Sequence, residues 1–430
     1  MTSKSESPRS SRLDRRSIRR ARQRISYNAA SRFCGRALGG AITLVALHLS
    51  TKYFGPQHWG PIVTALAFVT IFSSLSDFGI SNLISRELSR AKDAPDELFG
   101  AGLLTSLMTA LALTIVAAAV GALAFNGRPE TRLLVFLLLP TIPLTALFAV
   151  VSAVFVARSR NDIRAVFDVL SSALVLVGVF VIVSHHDSMS AYALLQSAAA
   201  AAMALVAVAV VSVYCWPSFH LAMRRVAATA TQAAPLGIYQ MVNVFYGQLD
   251  TLLVAAFLST AMVAWFGLAS QIAGFFWSIP GMVTVAATPH FMRKSDVERL
   301  RLAQRLMDAL AGAGVLLALG GVFFSKEALL VIGGNSFLGA TNALRILVSA
   351  SSVGFLTSTV GMILFLVSQQ RSLIRISLVI LTANVACNLV AIPLFGIGGA
   401  AVALLVSELV GLIYSLVVLN KTVGYVFTFR

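Results

Sequence analysis

Charge is what this chain has least of: 12% of its 430 residues are Asp, Glu, Lys or Arg, about half the roughly 25% usual in soluble domains. Acid is scarcer still, with 17 Asp and Glu against 33 Lys and Arg. At 58% hydrophobic residues and a mean hydropathy of +0.85, there is too little polar surface to face water all round. That excludes an ordinary soluble enzyme or binding module. Cysteine is nearly missing too. Cys34, Cys215 and Cys387 are widely spaced and mostly within apolar runs, which excludes a disulfide framework and a metal knuckle. No Walker A motif, Asp-x-Asp pair or His-rich cluster occurs, and no aqueous loop exceeds roughly 20 residues. A membrane polymerase or ligase of glycans needs a large outer loop for its catalytic groups. Bond-making chemistry and a resident cofactor are therefore not expected.

What the sequence does have is long apolar runs, such as Leu103–Phe125 and Ala198–Tyr214. A barrel strand would alternate apolar and polar residues over about ten positions, so continuous runs of this length read as membrane-spanning helices. Spans are expected near 28–51, 59–85, 98–124, 132–156, 165–184 and 190–213. A second set falls near 233–257, 261–288, 303–324, 341–368, 372–394 and 397–419. With both termini placed in the cytoplasm, only Lys52, Arg128, Arg132, Lys326 and Arg345 of the 33 basic residues fall outside. That asymmetry is what the positive-inside rule requires, and moving the register by one span destroys it. The net charge of +16 owes much to Arg15, Arg16, Arg19, Arg20 and Arg22. A basic arm can bind nucleic acid, but ahead of a first span it holds that end inside and touches anionic lipid. No nucleic-acid partner is expected. Ala29–Ser50 is too long for a secretory h-region, while the Arg/Ser-rich tail leaves a transit peptide open.

The chain divides as a disordered basic tail (1–27), a six-helix lobe (28–215), a cytoplasmic linker (216–232) and a second six-helix lobe (233–430). A weak repeat supports the halves. Arg160-Asn-Asp-Ile-Arg164 and Arg371-Ser-Leu-Ile-Arg375 lie 211 residues apart, and Trp59-Gly60 and Phe266-Gly267 lie 207 apart. Two halves inserted the same way up form rocking bodies around a central site.

Asn28 through Gly40, Lys52-Tyr-Phe-Gly-Pro56 and Trp59-Gly60 resemble the opening of the polysaccharide-biosynthesis flippases of the multidrug/oligosaccharidyl-lipid/polysaccharide exporter superfamily. Ser76-Asp-Phe-Gly-Ile80 with Arg86, Pro235 with Asp250, and Pro280 with Pro289 continue the pattern. Asn384, Asn388 and Pro393-Leu-Phe-Gly-Ile-Gly-Gly-Ala400 complete it over nearly the whole chain. Lys52 stands where the family often has Arg. The resemblance implies an all-α, MATE-like fold of about 12 spans in the bacterial inner membrane. It also implies translocation of an undecaprenyl-diphosphate-linked oligosaccharide to the periplasmic face for O-antigen, capsule or exopolysaccharide assembly. Partners would be that glycolipid, membrane lipids and other polysaccharide-assembly proteins. A cation-coupled drug or metabolite exporter of the same superfamily, or a component of a glycan-assembly complex, are the alternatives.

Intramembrane polar residues are the candidates for function. Arg32 and Arg36, one turn apart on the first span, suit a grip on the diphosphate or snorkelling to the inner headgroups. Asp77 and Arg86 flank the inner end of the second span as interfacial structure or a gate. Gln240 and Asn243 share a face of the seventh span, followed by Gln248 and Asp250, which points into a cavity or pairs with an Arg such as Arg345. Glu408, mid-span in the twelfth, suits H+ or Na+ coupling, as does Asp250, or else a packing hydrogen bond. Asn384 and Asn388 either contact sugar hydroxyls or glue helices. Asp168 and Asp308 read as loop partners of cytoplasmic Arg residues.

Overall fold

The computed structural model describes residues 8–90, 95–158, 160–218, 222–291, 296–366 and 370–423. Among these there is no strand. The helices are α1 (Pro8–Asp77), α2 (Ile80–Arg90), α3 (Pro95–Ala124), α4 (Pro129–Leu138), α5 (Thr141–Ala157) and α6 (Asn161–His185). There follow α7 (Met189–Val211), α8 (Ala222–Phe257), α9 (Thr260–Phe291), α10 (Asp296–Ile332), α11 (Thr341–Leu366) and α12 (Gln370–Val423).

Nine stretches among the described residues are long and apolar enough to cross a membrane. Two of them, at 56 and 52 residues, are about twice a span's length. Each breaks at a glycine with positive φ: Gly55 (φ 63°, ψ 177°) in α1 and Gly396 (φ 58°, ψ −138°) in α12. These are conformations that only glycine adopts without strain. Gly399 then lies against the carbonyl of Ala391, so the chain doubles back there. In α1, the leg before the break packs along α6, with Gly35 on Ala165 and Gly39 on Asp168. The leg after it packs against α3, with Phe68 on Phe125 and Gly121. Both long helices therefore hold two spans. The seventh expected span, α8, is absent from the nine because polar residues interrupt its apolar character. Counting the two double-length helices as two spans each and adding α8 recovers the expected twelve.

The remaining breaks follow local chemistry. Pro129 opens α4 and Pro140 separates it from α5, and the two helices together make one 29-residue crossing. Between α1 and α2, Phe78 (φ 38°) and Gly79 (φ 75°) turn the chain. Two boundaries differ from expectation. Residues 8–27, expected as a disordered tail, are helical and continuous with the first span. Residues 222–232, expected within the linker, begin α8. The first stretch is rich in Arg and the second in Ala, strong helix formers that extend an adjoining span at little cost.

Three apolar clusters hold the bundle. One joins both halves through Trp59, Phe68 and Leu134 with Phe266, Phe337 and Leu344. A second lies within the first half around Phe99, Phe155 and Phe167, and a third within the second half around Met307, Leu364 and Ile376. Ile115 and Leu316, each 72% exposed, typify the apolar outer surface that hydrocarbon must cover.

Candidate functional site

A cavity of about 1130 Å³ opens between α8, α9, α11 and both legs of α12. It exceeds the roughly 300–1,000 Å³ of sites for drug-sized ligands. Helical spacing creates its walls. On α8, Tyr239, Asn243, Tyr246 and Asp250 recur every three or four residues and line one face, with Gln240 beside them. On α9 the same spacing lines up Phe266, Ser270, Gly274, Trp277 and Gly281. Thr357 and Ser358 come from α11, Ser377 and Glu408 from α12, and Asn82 of α2 is the contribution from the first half. Gly247, Gly274 and Gly281 have no neighbour within 4 Å of where a Cβ would sit, so their missing side chains keep the space open.

Two buried carboxyls anchor the wall. Asp250, 5% exposed, accepts a hydrogen bond from Asn388 Nδ2 at 2.8 Å, and that nitrogen also donates to the Asn384 carbonyl at 2.9 Å. The amide of Asn384 faces the same carboxyl, yet neither of its side-chain polar atoms reaches good hydrogen-bond geometry, nor does Asn388 Oδ1. Glu408, 3% exposed, accepts from Tyr246 Oη at 2.6 Å, with Ser407 Oγ 3.3 Å from the same hydroxyl and Thr357 alongside. Among the described residues no Lys or Arg lines this cavity. Two ion pairs among the described residues, Arg86 with Glu87 and Arg160 with Asp162, lie away from it at the surface.

The expected site residues therefore separate. Gln240, Asn243, Asp250 and Glu408 line one cavity, and Asn384 and Asn388 stand directly behind Asp250. Arg345 does not join them. Its guanidinium donates to the Val322 carbonyl at 3.0 Å and to Asn342 at 3.5 Å, tying α11 to α10, so the expected pairing with Asp250 fails. Arg36 is exposed and outside the cavity wall, and the side chain of Arg32 lies outside the described residues. Asp77 holds the start of α2, taking hydrogen bonds from Ser81 N at 3.0 Å and Ser81 Oγ at 2.7 Å. Arg86 lies with Glu87, 3.2 Å away. Asp308 accepts from Gln304 on its own helix at 2.8 Å. Sequence reasoning missed Tyr246, Trp277 and Asn82. Tyr246 stands one turn before Asp250, and Trp277 shares a helical stripe with Gly274 and Gly281; those spacings were the available signals.

At one end of the bundle the two halves are tied together. Thr51 Oγ1 donates to the Ile332 carbonyl at 2.9 Å, with His48 Nδ1 3.2 Å from the same oxygen. Thr260 Oγ1 donates to Gln57 Oε1 at 3.1 Å, and Arg128 donates to the Ala255 carbonyl. At Gly60, a Cβ would run into the Thr260 carbonyl, so only glycine permits this approach. These contacts hold the two halves together at this end.

Residues 27–294 match a family described as polysaccharide biosynthesis protein. A protein of Haloferax volcanii described as probable flippase AglR is 29% identical over 185 residues, which are 41% of this chain and 39% of that protein. The match thus spans about two fifths of that relative's length. Among solved structures, the lipid II flippase MurJ in an inward closed conformation superposes with a TM-score of 0.77 at 15% identity, over 92% of this chain and 87% of that one. An inward-facing multidrug resistance MATE family transporter of the MOP superfamily gives 0.72 at 14% identity, over 92% and 99%. At such identities these two establish the fold alone.

Proposed function

The chain belongs to the polysaccharide biosynthesis protein family, and on that premise we propose that it is a flippase for an undecaprenyl-diphosphate-linked oligosaccharide. It moves the unit from the cytoplasmic to the periplasmic face of a bacterial inner membrane, feeding O-antigen, capsule or exopolysaccharide assembly. The observation that carries the reading is the large cavity within the bundle, whose largely apolar wall is set with two buried carboxyls and several amides, the two halves being tied together at one end. A sugar head group needs such a shelter from about 30 Å of hydrocarbon, while the lipid tail stays outside. The two six-helix lobes give alternating access to the cavity, and the residues bind and release without breaking a bond. Both termini are cytoplasmic in this reading.

Coupling falls to H+ or Na+. Asp250 with the free amide oxygens of Asn384 and Asn388 presents hard oxygen donors to a small cation, and Glu408 is a second protonatable group. Asp250→Asn then abolishes dependence on an ion gradient.

A second reading has one observation in its favour. An acidic and aromatic lining without described basic groups also suits an organic cation, as in a cation-coupled exporter. Reconstitution separates the two. Purified protein in proteoliposomes should move an undecaprenyl-diphosphate-linked disaccharide between leaflets and leave a lipophilic dye cation unconcentrated. Dye accumulation without movement of the lipid-linked sugar would replace the flippase reading. In cells, deletion should stop polymer assembly and strand the lipid-linked unit on the cytoplasmic face.

A further inference from the structure

Resting on the flippase reading, we propose that the cavity selects oligosaccharide units built from neutral or amino-bearing sugars and rejects units carrying a carboxylate sugar. The charge on its wall is one-sided. Asp250 and Glu408 are both buried there, and no described Lys or Arg faces them. A uronate entering this space would give up its hydration and meet no cation in exchange. With either carboxyl ionised it also meets a like charge in a low-dielectric enclosure, where such repulsion is strongest. With both carboxyls protonated or holding a small cation, a positive partner is still missing. Either state disfavours the acidic sugar.

The rest of the wall suits an uncharged head group. Trp277 and Tyr239 offer flat aromatic faces for the C–H side of a pyranose ring, and Gln240 and Asn243 offer amides for its hydroxyls. Gln240 Oε1, although buried, has no hydrogen-bond partner among the described residues and so is an acceptor open to a donor. A protonated amino sugar gains further from the two carboxyls. A volume of about 1130 Å³ leaves room for a sugar head group beside the two carboxyls.

The test uses two undecaprenyl-diphosphate-linked disaccharides, N-acetylglucosamine–glucose and N-acetylglucosamine–glucuronate, which differ at one carbon. Each is placed in the inner leaflet of proteoliposomes holding the full chain, and exposure to external impermeant periodate is followed with time. The glucose unit should emerge faster by roughly tenfold or more. Gln240→Arg, and separately Asn243→Arg, should raise the rate for the glucuronate unit and narrow the ratio. Should one variant fail to fold, the other and the wild-type pair still decide. Equal rates, or a faster glucuronate unit, would overturn the selectivity while leaving the flippase reading intact. An unchanged ratio in a folded arginine variant would also overturn it. Movement of neither unit would overturn the flippase reading and this inference with it.

Discussion

At the scale of single residues, the decisive contacts are those of the buried carboxyls. Asp250, Asn384, Asn388 and Glu408 were legible in the sequence because polar side chains inside apolar runs are rare and must find partners. Their partners were not legible. That Asn388 rather than Arg345 satisfies Asp250 depends on how α8 meets α12. Asn388→Leu should cost about 1–3 kcal/mol by orphaning the Asp250 carboxyl, read as a lowered Tm in detergent. Gly274 makes the opposite kind of prediction. Nothing lies within 4 Å of its missing Cβ. Gly274→Leu should therefore fill cavity space, leave Tm nearly unchanged and strongly reduce translocation in proteoliposomes.

Among the helices, turns decide where spans begin and end. Apolar length predicted the spans, but the hairpin breaks fall at Gly55 and Gly396, whose backbone angles favour glycine alone. Gly396→Ala should lower stability by about 1–3 kcal/mol. Gly398→Ala, with no atom near its Cβ, serves as the neutral comparison in the same thermal unfolding series. The start of α8 at Ala222, within the expected linker, shows the limit of reading spans by hydropathy. Helix propensity carries a helix past the apolar run that justifies it.

For the whole molecule, the seam between the halves around Gln57 and Thr260 is the contact that alternating access is expected to open. Gln57 and Thr260 touch across it at 3.1 Å. In a background with Cys34, Cys215 and Cys387 replaced by Ser, Gln57→Cys with Thr260→Cys should cross-link under oxidation. Translocation should stop and then recover on reduction. Full transport by the cross-linked protein would show that this seam does not move.

By itself the sequence determined an all-helical membrane bundle, the positions of twelve crossings and the few polar residues inside them. Apolar length, rare charge and the basic bias of one side are local properties, and lipid leaves the backbone little alternative to helix. Which of those residues share a cavity was decided by tertiary packing alone. A side chain's direction follows from helix rotation and crossing, which small residues such as Gly60 and Gly399 permit and no single run encodes. The expected pairing of Arg345 with Asp250 gave way to a contact between α10 and α11. An acidic, amide-rich and aromatic chamber came from side chains distributed over five helices.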